Sequence, residues 1–371
     1  MRIAYPIIWD AYSSSGVLAK VENQARIWSE RGHEVRVFVV TPPCDGPLCI
    51  DESMTTPIIR PFNLFRKFLY LNKISSALSV GMLERHIWKF HPDVIYQRTP
   101  LWQSGLLSRL PGIAPYILEL NTIAQNERQL LSRDGVFQTF KERLLLGGAA
   151  GIVSVSEEIS KHYFSGSVPM KVVANGFLVT RFEPRPPPKN KRPQLIFVGS
   201  PGMPWHGVDK VIILAEKLPD WDFHLVGPGP SDIALGNLTN VYAYGYLQQS
   251  QIGNLYQRMD VGIGTLALHR NNMNEASPLK VREYVAFGLP VISGYHDTDL
   301  SGCNFYLNIG NTENNVTKQE DKIRAFVAYW KGRAIDRTKV LERVDSDAKE
   351  TRRLEFMAKV MDRNRKASVI K

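Results

Sequence analysis

The chain has 371 residues, a length that suits two domains of roughly 100–200 residues each. Hydrophobic residues make up 44% and charged residues 22%, ordinary globular usage that excludes a disordered chain, a collagen and a pure coiled coil. Lys and Arg number 46 against 36 Asp and Glu, a formal net charge of +10, which suits phosphates, nucleic acid or anionic lipid as partners without choosing among them.

The first apolar run, Arg2–Ile8, is too short for the apolar part of a signal peptide, and Asp10 soon follows. No window nears ~18 uninterrupted apolar residues, so no membrane-crossing helix is expected. Strands are predicted at Ile3–Ile8, Val35–Val40, Val94–Gln97, Ile117–Leu120, Ile152–Val155 and Val172–Ala174. A second set follows at Leu195–Val198, Phe223–Val226, Val241–Tyr244, Val261–Thr265 and Val291–Ser293. Helical patterns lie between many of them, such as Val17–Arg31, Gln125–Leu146, Val208–Leu218 and Pro278–Phe287. This alternation predicts an α/β chain with parallel sheets and helices on both faces. The strand runs are rich in Val and Ile without polar alternation, as expected for strands buried on both sides.

Between the two sets lies Glu183-Pro-Arg-Pro-Pro-Pro-Lys-Asn-Lys-Arg-Pro193. Proline at this density cannot continue a helix or a central strand and reads as a semi-rigid spacer. The expected organisation is therefore a domain over 1–182, a linker over 183–193, a second domain over 194–344 and a terminal helix over 345–371. That helix carries apolar Leu354, Phe356, Met357, Val360 and Met361. Three cysteines (Cys44, Cys49, Cys303) cannot form a disulfide framework, which favours a reducing, cytoplasmic setting.

Ligands of open parallel sheets bind beyond the carboxyl ends of the strands, and two such sheets facing each other would leave a cleft. The most informative loop and helix is Asn274-Glu-Ala-Ser-Pro-Leu-Lys-Val-Arg-Glu-Tyr-Val-Ala-Phe-Gly-Leu-Pro-Val-Ile292. Ser277 reads as the N-cap and Pro278 as the first helical residue, while Gly288 and Pro290 stop the helix. The helix tip, formed by Ser277, Pro278, Leu279 and Lys280, offers backbone N–H groups and a partial positive charge to a diphosphate. Glu275 lies just outside the tip, and Glu283 lies ~7.5 Å along the axis from Pro278. A nucleotide-sugar has the same order of parts. Glu275 can reach the sugar, and Glu283 can accept hydrogen bonds from both ribose hydroxyls. The bland alternative is a capped surface helix with two solvated glutamates.

The segment resembles the glutamate–seven residues–glutamate motif of retaining glycosyltransferase family 4, which has the GT-B fold. The resemblance extends along most of the chain, through Gly16 to Val37, Ile152 to Glu157, Val173-Ala-Asn-Gly-Phe177, Leu195-Ile-Phe-Val-Gly199 and Phe223-His-Leu-Val-Gly-Pro-Gly-Pro230. It implies two Rossmann-like domains facing each other across a cleft, with acceptor binding in the first and the nucleotide-sugar in the second. It also implies a last helix that crosses back to the first domain. By this resemblance Gly199 and Gly227 line the donor site, Tyr246 and Leu247 contact the base, and Ser15 and Gly16 belong to a loop that touches acceptor and diphosphate.

The chain departs from the family at the diphosphate. Where an Arg and a Lys are usual, it has Ser200 and His206. Lys280 is the candidate source of charge. Its ammonium is expected to stay protonated until ~10, which would make donor binding flat through neutral pH. Where many members have a His near the donor sugar, this chain has Asn121, which can hydrogen-bond but cannot act as a base. The resemblance implies front-face transfer in which the departing phosphate takes the acceptor proton, so Asn121 serves to position.

The expected activity is a retaining hexosyl transfer without metal or other cofactor, from a UDP- or GDP-type donor to a hydroxyl. The acceptor would be a carbohydrate or a lipid-linked one, in bacterial surface polysaccharide or glycolipid assembly. Asp297-Thr-Asp299 has the spacing of a metal site in a different glycosyltransferase fold, but it falls in a loop beside a helix already assigned to phosphates. The stretch Arg60–Lys73 combines basic residues with Phe62, Phe65, Phe68 and Tyr70, which suits a peripheral contact with the inner face of a membrane or, equally, a core-facing helix. No nucleic-acid module is visible. The rival readings are a GT-B-fold sugar-nucleotide epimerase and a non-catalytic scaffold that has lost donor binding.

Overall fold

The computed structural model describes residues 1–44, 46–60, 69–98, 110–130, 146–164, 166–181, 183 and 185–369. The chain divides into two compact units, one of Met1–Val173 with Asp347–Lys371 and one of Ala174–Ser346.

The first unit is built on a seven-stranded parallel sheet. Its strands are β1 (Arg2–Ile8), β2 (Glu34–Thr41), β3 (Thr55–Ile59), β4 (Val94–Arg98), β5 (Tyr116–Leu120), β6 (Gly151–Ser154) and β7 (Met170–Val172), in the order β3-β2-β1-β4-β5-β6-β7. The strand order reverses between β1 and β4, which places the switch point at the carboxyl ends of those two strands. The loop after β1 leads into the helix Gly16–Glu30, which buries Leu18, Val21, Ala25 and Trp28 on one stripe. Ser15 caps it, its Oγ accepting from the Leu18 N–H at 3.2 Å.

The helix Ser346–Val369 packs on this unit. Its Phe356 and Val360 lie so close to Gly151 that a Cβ there would sit 2.8 Å from Val360 Cγ2. β3 went unforeseen because Pro57 interrupts its pattern, and its place at the sheet edge tolerates the lost donor. β7 ends at Val172 rather than Ala174. Of the expected helix Gln125–Leu146, residues 131–145 lie outside the described residues; Ala124–Leu130 is helical. Residues 61–68 of the basic–aromatic stretch also lie outside them.

The second unit has a six-stranded parallel sheet. Its strands are β8 (Gln194–Val198), β9 (Asp222–Val226), β10 (Val241–Gly245), β11 (Val261–Ile263), β13 (Val291–Ser293) and β15 (Tyr306–Asn308), in the order β10-β9-β8-β11-β13-β15. A separate pair joins β12 (Glu275–Ala276) to β14 (His296–Asp297). The order reverses between β8 and β11. The loops after these strands, 199–207 and 264–271, meet there: Leu266 N–H donates to the His206 carbonyl at 3.1 Å and Ala267 N–H to that of Trp205 at 3.2 Å.

The boundary expected at 183–193 falls earlier. Phe177 bridges to Asp345, Val179 is buried in the second core, and the buried Arg185 donates to the Arg333 carbonyl at 2.8 Å. The proline-rich stretch, expected as a semi-rigid spacer, is tied to the second unit at Asn190, whose Nδ2 donates to the Arg258 carbonyl at 2.7 Å and to Asp260 Oδ2 at 2.9 Å. Apolar side chains at 177–179 find partners in the second unit, and composition alone could not show that. Among the described residues, no helix is long and apolar enough to cross a membrane.

Candidate active site

The loop after β8 is shaped by close approach. A Cβ at Gly199 would lie 2.7 Å from the Phe197 ring and 2.9 Å from His206 Nδ1. Gly227, at the end of β9, has φ +100°, and a Cβ there would collide with the Gly199 carbonyl at 1.7 Å. Gly227 N–H donates to the Gly245 carbonyl at 2.8 Å, which ties this turn to the loop carrying Tyr246 and Leu247. Tyr246 is exposed, whereas Leu247 packs against the core. Ser200 is exposed, and its carbonyl lies 3.2 Å from His206 Nδ1.

The glutamate helix runs from Leu279 to Ala286 and buries Val281, Tyr284 and Val285. Its cap differs from the expectation. Pro278 occupies the N-cap, with φ −69° and ψ 139°, and no side chain caps the helix. Ser277 is not the cap because its groups are taken by Asn175. The Asn175 N–H donates to Ser277 Oγ at 2.9 Å, and Asn175 Nδ2 donates to the Ser277 carbonyl at 2.5 Å. The Leu279 and Lys280 N–H groups have no acceptor among the described residues, so the helix tip is open to an anion.

Lys280 rises from this tip. Its Nζ lies 4.1 Å from the centre of the Phe197 ring, is buried, and has no hydrogen-bond partner among the described residues. Burial lowers its ammonium to about 7, so the expectation of a charge constant to ~10 is corrected. The Phe197 ring offers a cation–π contact but no counter-charge. Burial and the nearby Lys280 hold the His206 imidazolium down to about 3. His206 is therefore neutral at physiological pH and offers a hydrogen bond, not a charge. Glu283 accepts from Gln249 Nε2, and burial raises its carboxyl to about 7 against the pull of Gln249 and Tyr256. Glu275 is buried on β12.

Asp297 and Asp299 are engaged by Arg282, whose NH1 pairs with Asp297 and whose NH2 lies 3.1 Å from Asp299 Oδ2. Among the described residues no group of three His, Cys, Asp or Glu could hold a metal. Sequence reasoning missed Asn175, Arg282 and Arg270. Arg270 forks onto Asp209 at 2.7 and 2.8 Å and donates to the Pro204 carbonyl at 3.0 Å, which fixes the His206 turn. The Asn-Gly pair after β7 was the only signal available for Asn175.

Asn121, Ser15 and Gly16 belong to the first unit. Lys20 Nζ donates to Asn121 Oδ1 at 3.1 Å, and Asn121 Nδ2 donates to Glu119 Oε1 at 2.9 Å, so the amide is fixed at both ends. Glu119 is fully buried, pairs with Lys20 and accepts from the Tyr96 hydroxyl at 2.7 Å. Burial would raise its carboxyl, but Lys20 and Arg353 outweigh this and hold it well below the usual range. Burial lowers the Lys20 ammonium to about 8 against the pull of Glu119. The Ser15 hydroxyl is shared between its own helix and the Trp9 indole N–H at 2.9 Å, and Gly16 is the first residue of that helix.

Residues 15–181 match the model of Glycosyltransferase Family 4, and residues 192–328 match that of Glycosyl transferases group 1. No curated protein matches the chain by sequence. Among solved structures, sucrose-phosphate synthase from Thermosynechococcus elongatus is similar with a TM-score of 0.73 and 14% identity, over 98% of this chain and 100% of that one. A glycosyltransferase from Rickettsia africae gives 0.63 and 15%, over 97% and 98%. Anabaena HepE, solved in complex with UDP-glucose, gives 0.61 and 14%, over 97% and 100%. The open helix tip and its two glutamates thus stand in a chain matched by glycosyltransferase models along both units, and the chain is a nucleotide-sugar glycosyltransferase of the GT-B fold, with a Glycosyltransferase Family 4 domain at 15–181 and a Glycosyl transferases group 1 domain at 192–328.

Proposed function

We propose that this chain moves a sugar from a nucleoside-diphosphate sugar to a hydroxyl acceptor with retention of configuration and without a metal. The observation that carries this reading is Lys280. A buried ammonium without a partner, at an open helix tip, is costly unless an anion completes it. A diphosphate would do so, through the Leu279 and Lys280 N–H groups and the Lys280 Nζ. Glu283, five residues past the cap, takes the ribose, and Glu275 takes the sugar. In this reading the bond from the anomeric carbon to the phosphate oxygen breaks. The acceptor oxygen bonds to the same face of that carbon, and the released phosphate takes the acceptor proton. Asn121 orients and does not exchange protons. The UDP-glucose complex of Anabaena HepE makes UDP-glucose the first donor to try.

The test is a thermal-shift panel of UDP, GDP and ADP, with and without EDTA. A nucleotide at 100 times its dissociation constant stabilises the fold by ~2.7 kcal/mol. The expected result is one responsive nucleotide, an EDTA-insensitive shift, and a shift reduced by half or more in Lys280→Met. A shift that needs Mn²⁺ would overturn the metal-free reading.

The acceptor is proposed to be lipid-linked. The first unit holds 27 Lys and Arg against 19 Asp and Glu, and it exposes Trp88 and Leu78, which fits an anionic bilayer. Co-sedimentation with phosphatidylglycerol vesicles, but not phosphatidylcholine vesicles, is expected; equal recovery from both would remove this part.

A further inference from the structure

The buried ion cluster beside the glutamate helix has a task that the helix itself does not require. Arg282, on the second turn's inner side, is fully buried, as is Asp297, with Asp299 beside them. Arg282 Nε donates to the Asn175 carbonyl at 3.2 Å. Asn175 turns its two donors onto Ser277. Asp297 lies on β14 in register with Ala276 of β12, and its Oδ1 accepts from the N–H groups of Asp299 and Leu300, each at 3.1 Å. The guanidinium therefore meets both sides of the short segment 275–277: one through the strand that pairs with it, the other through Asn175.

The helix is already anchored by Val281, Tyr284 and Val285. The segment 275–277 is not, because Ala276 and Ser277 have little apolar surface of their own. Upstream, Asn311 Nδ2 donates to the Met273 carbonyl at 2.8 Å and to Asn274 Oδ1 at 3.0 Å. Polar bonds, not packing, fix this segment. A buried ion pair gives little net stability over an apolar pair, and fixing one geometry is its best-supported use.

We propose that Arg282 is a positioning residue for Glu275, holding 275–277 in register with the first turn of the helix through Asp297 and Asn175. This rests on the reading of Glu275 as the sugar-facing carboxylate. Arg282→Lys keeps the charge but loses the planar fork that serves Asp297, Asp299 and Asn175 together. Lys280 and Glu283 stay on the helix, so free diphosphate binding should be spared while the sugar loses its contact.

The experiment uses titration calorimetry of the full chain with UDP and UDP-glucose, together with UDP release from UDP-glucose. For Arg282→Lys, the UDP dissociation constant should stay within threefold of wild type, and UDP release should fall at least tenfold. The affinity ratio of UDP-glucose to UDP should collapse to that of Glu275→Ala. In the Glu275→Ala background, Arg282→Lys should change that ratio by less than twofold. Independent, additive losses would overturn the proposal, as would equal loss of UDP binding and release. If Arg282→Lys does not fold, Asn175→Ala, which removes the Nδ2 donor to the Ser277 carbonyl and leaves the Arg282–Asp297 pair in place, enters the same cycle with the same expected and overturning results. A wild-type protein that binds none of UDP, GDP and ADP would instead refute the functional reading itself, before any variant is made.

Discussion

Two lysines divide the chemistry of this protein between them. Lys20 in the first unit and Lys280 in the second are both buried at Nζ, and burial lowers both, to about 8 and about 7. Lys20 faces Glu119 and Asn121, and Arg353 completes the cluster from the terminal helix through Glu350 at 2.6 Å. Lys280 faces an aromatic ring and no acceptor. A buried charge with a carboxylate belongs to the fold; a buried charge without one belongs to whatever binds there.

The largest expected effect would come from breaking the paired lysine. Lys20→Met leaves Glu119 buried and without its nearest cation, so unfolding free energy should fall by about 3–5 kcal/mol. Nucleotide affinity should hardly move if the first unit's cluster is structural. Denaturant titration and calorimetry together check this. A tenfold loss of nucleotide affinity at unchanged stability would erase the distinction.

Lys280→Met should do the reverse. Nucleoside diphosphate binding should weaken by about 1.5–3 kcal/mol, the range for hydrogen bonds to charged groups. Ligand-free stability should hold or rise, because no carboxylate is left unpaired.

Lys280 and Glu283 together predict a pH profile. Between about 7 and 10.5 the unfolded chain holds a proton at position 280 that the folded chain has lost. Ligand-free stability therefore gains with rising pH through that window from this group. Binding goes the other way, because an anion needs the ammonium: affinity should fall above about 7. Glu283, raised to about 7, must ionise to accept fully from a diol, so affinity should also fall below that pH. Calorimetry from pH 5.5 to 9 should show an optimum near 7. Lys280→Met should flatten the upper limb and Glu283→Gln the lower. A profile unchanged in both variants would dismiss these assignments.

The smallest effect is expected at His206. It is neutral in the folded chain, so His206→Ala at pH 8 should cost less than threefold in nucleotide affinity, well below the loss from Lys280→Met. A larger loss would move the charge onto the turn after β8.

Much of the fold was legible in the residues. The Val- and Ile-rich runs place eleven strands close to where the structure has them, because strands buried on both faces leave that pattern. β3 and β15 were hidden, one by Pro57 and one by its three-residue length at an edge. The strand and helix that carry Glu275 and Glu283 were legible as one segment because the spacing of the glutamates and the flanking Gly and Pro are local properties. The helix cap was not, since Ser277 answers to Asn175, 102 residues away.

The sequence by itself determined the alternating strands and helices, the position of the two glutamates, and the presence of Lys280 at a helix start. These follow from periodicity and turn chemistry within about twenty residues. Only the tertiary structure decided that residues 174–181 join the second unit, that Arg282 occupies Asp297 and Asp299, and which lysine is paired. Pairing, burial and the pKa values they set depend on groups from distant strands meeting in one dry place. Lys20 and Glu119 are 99 residues apart in the chain and in contact in the fold, and no local pattern encodes that meeting.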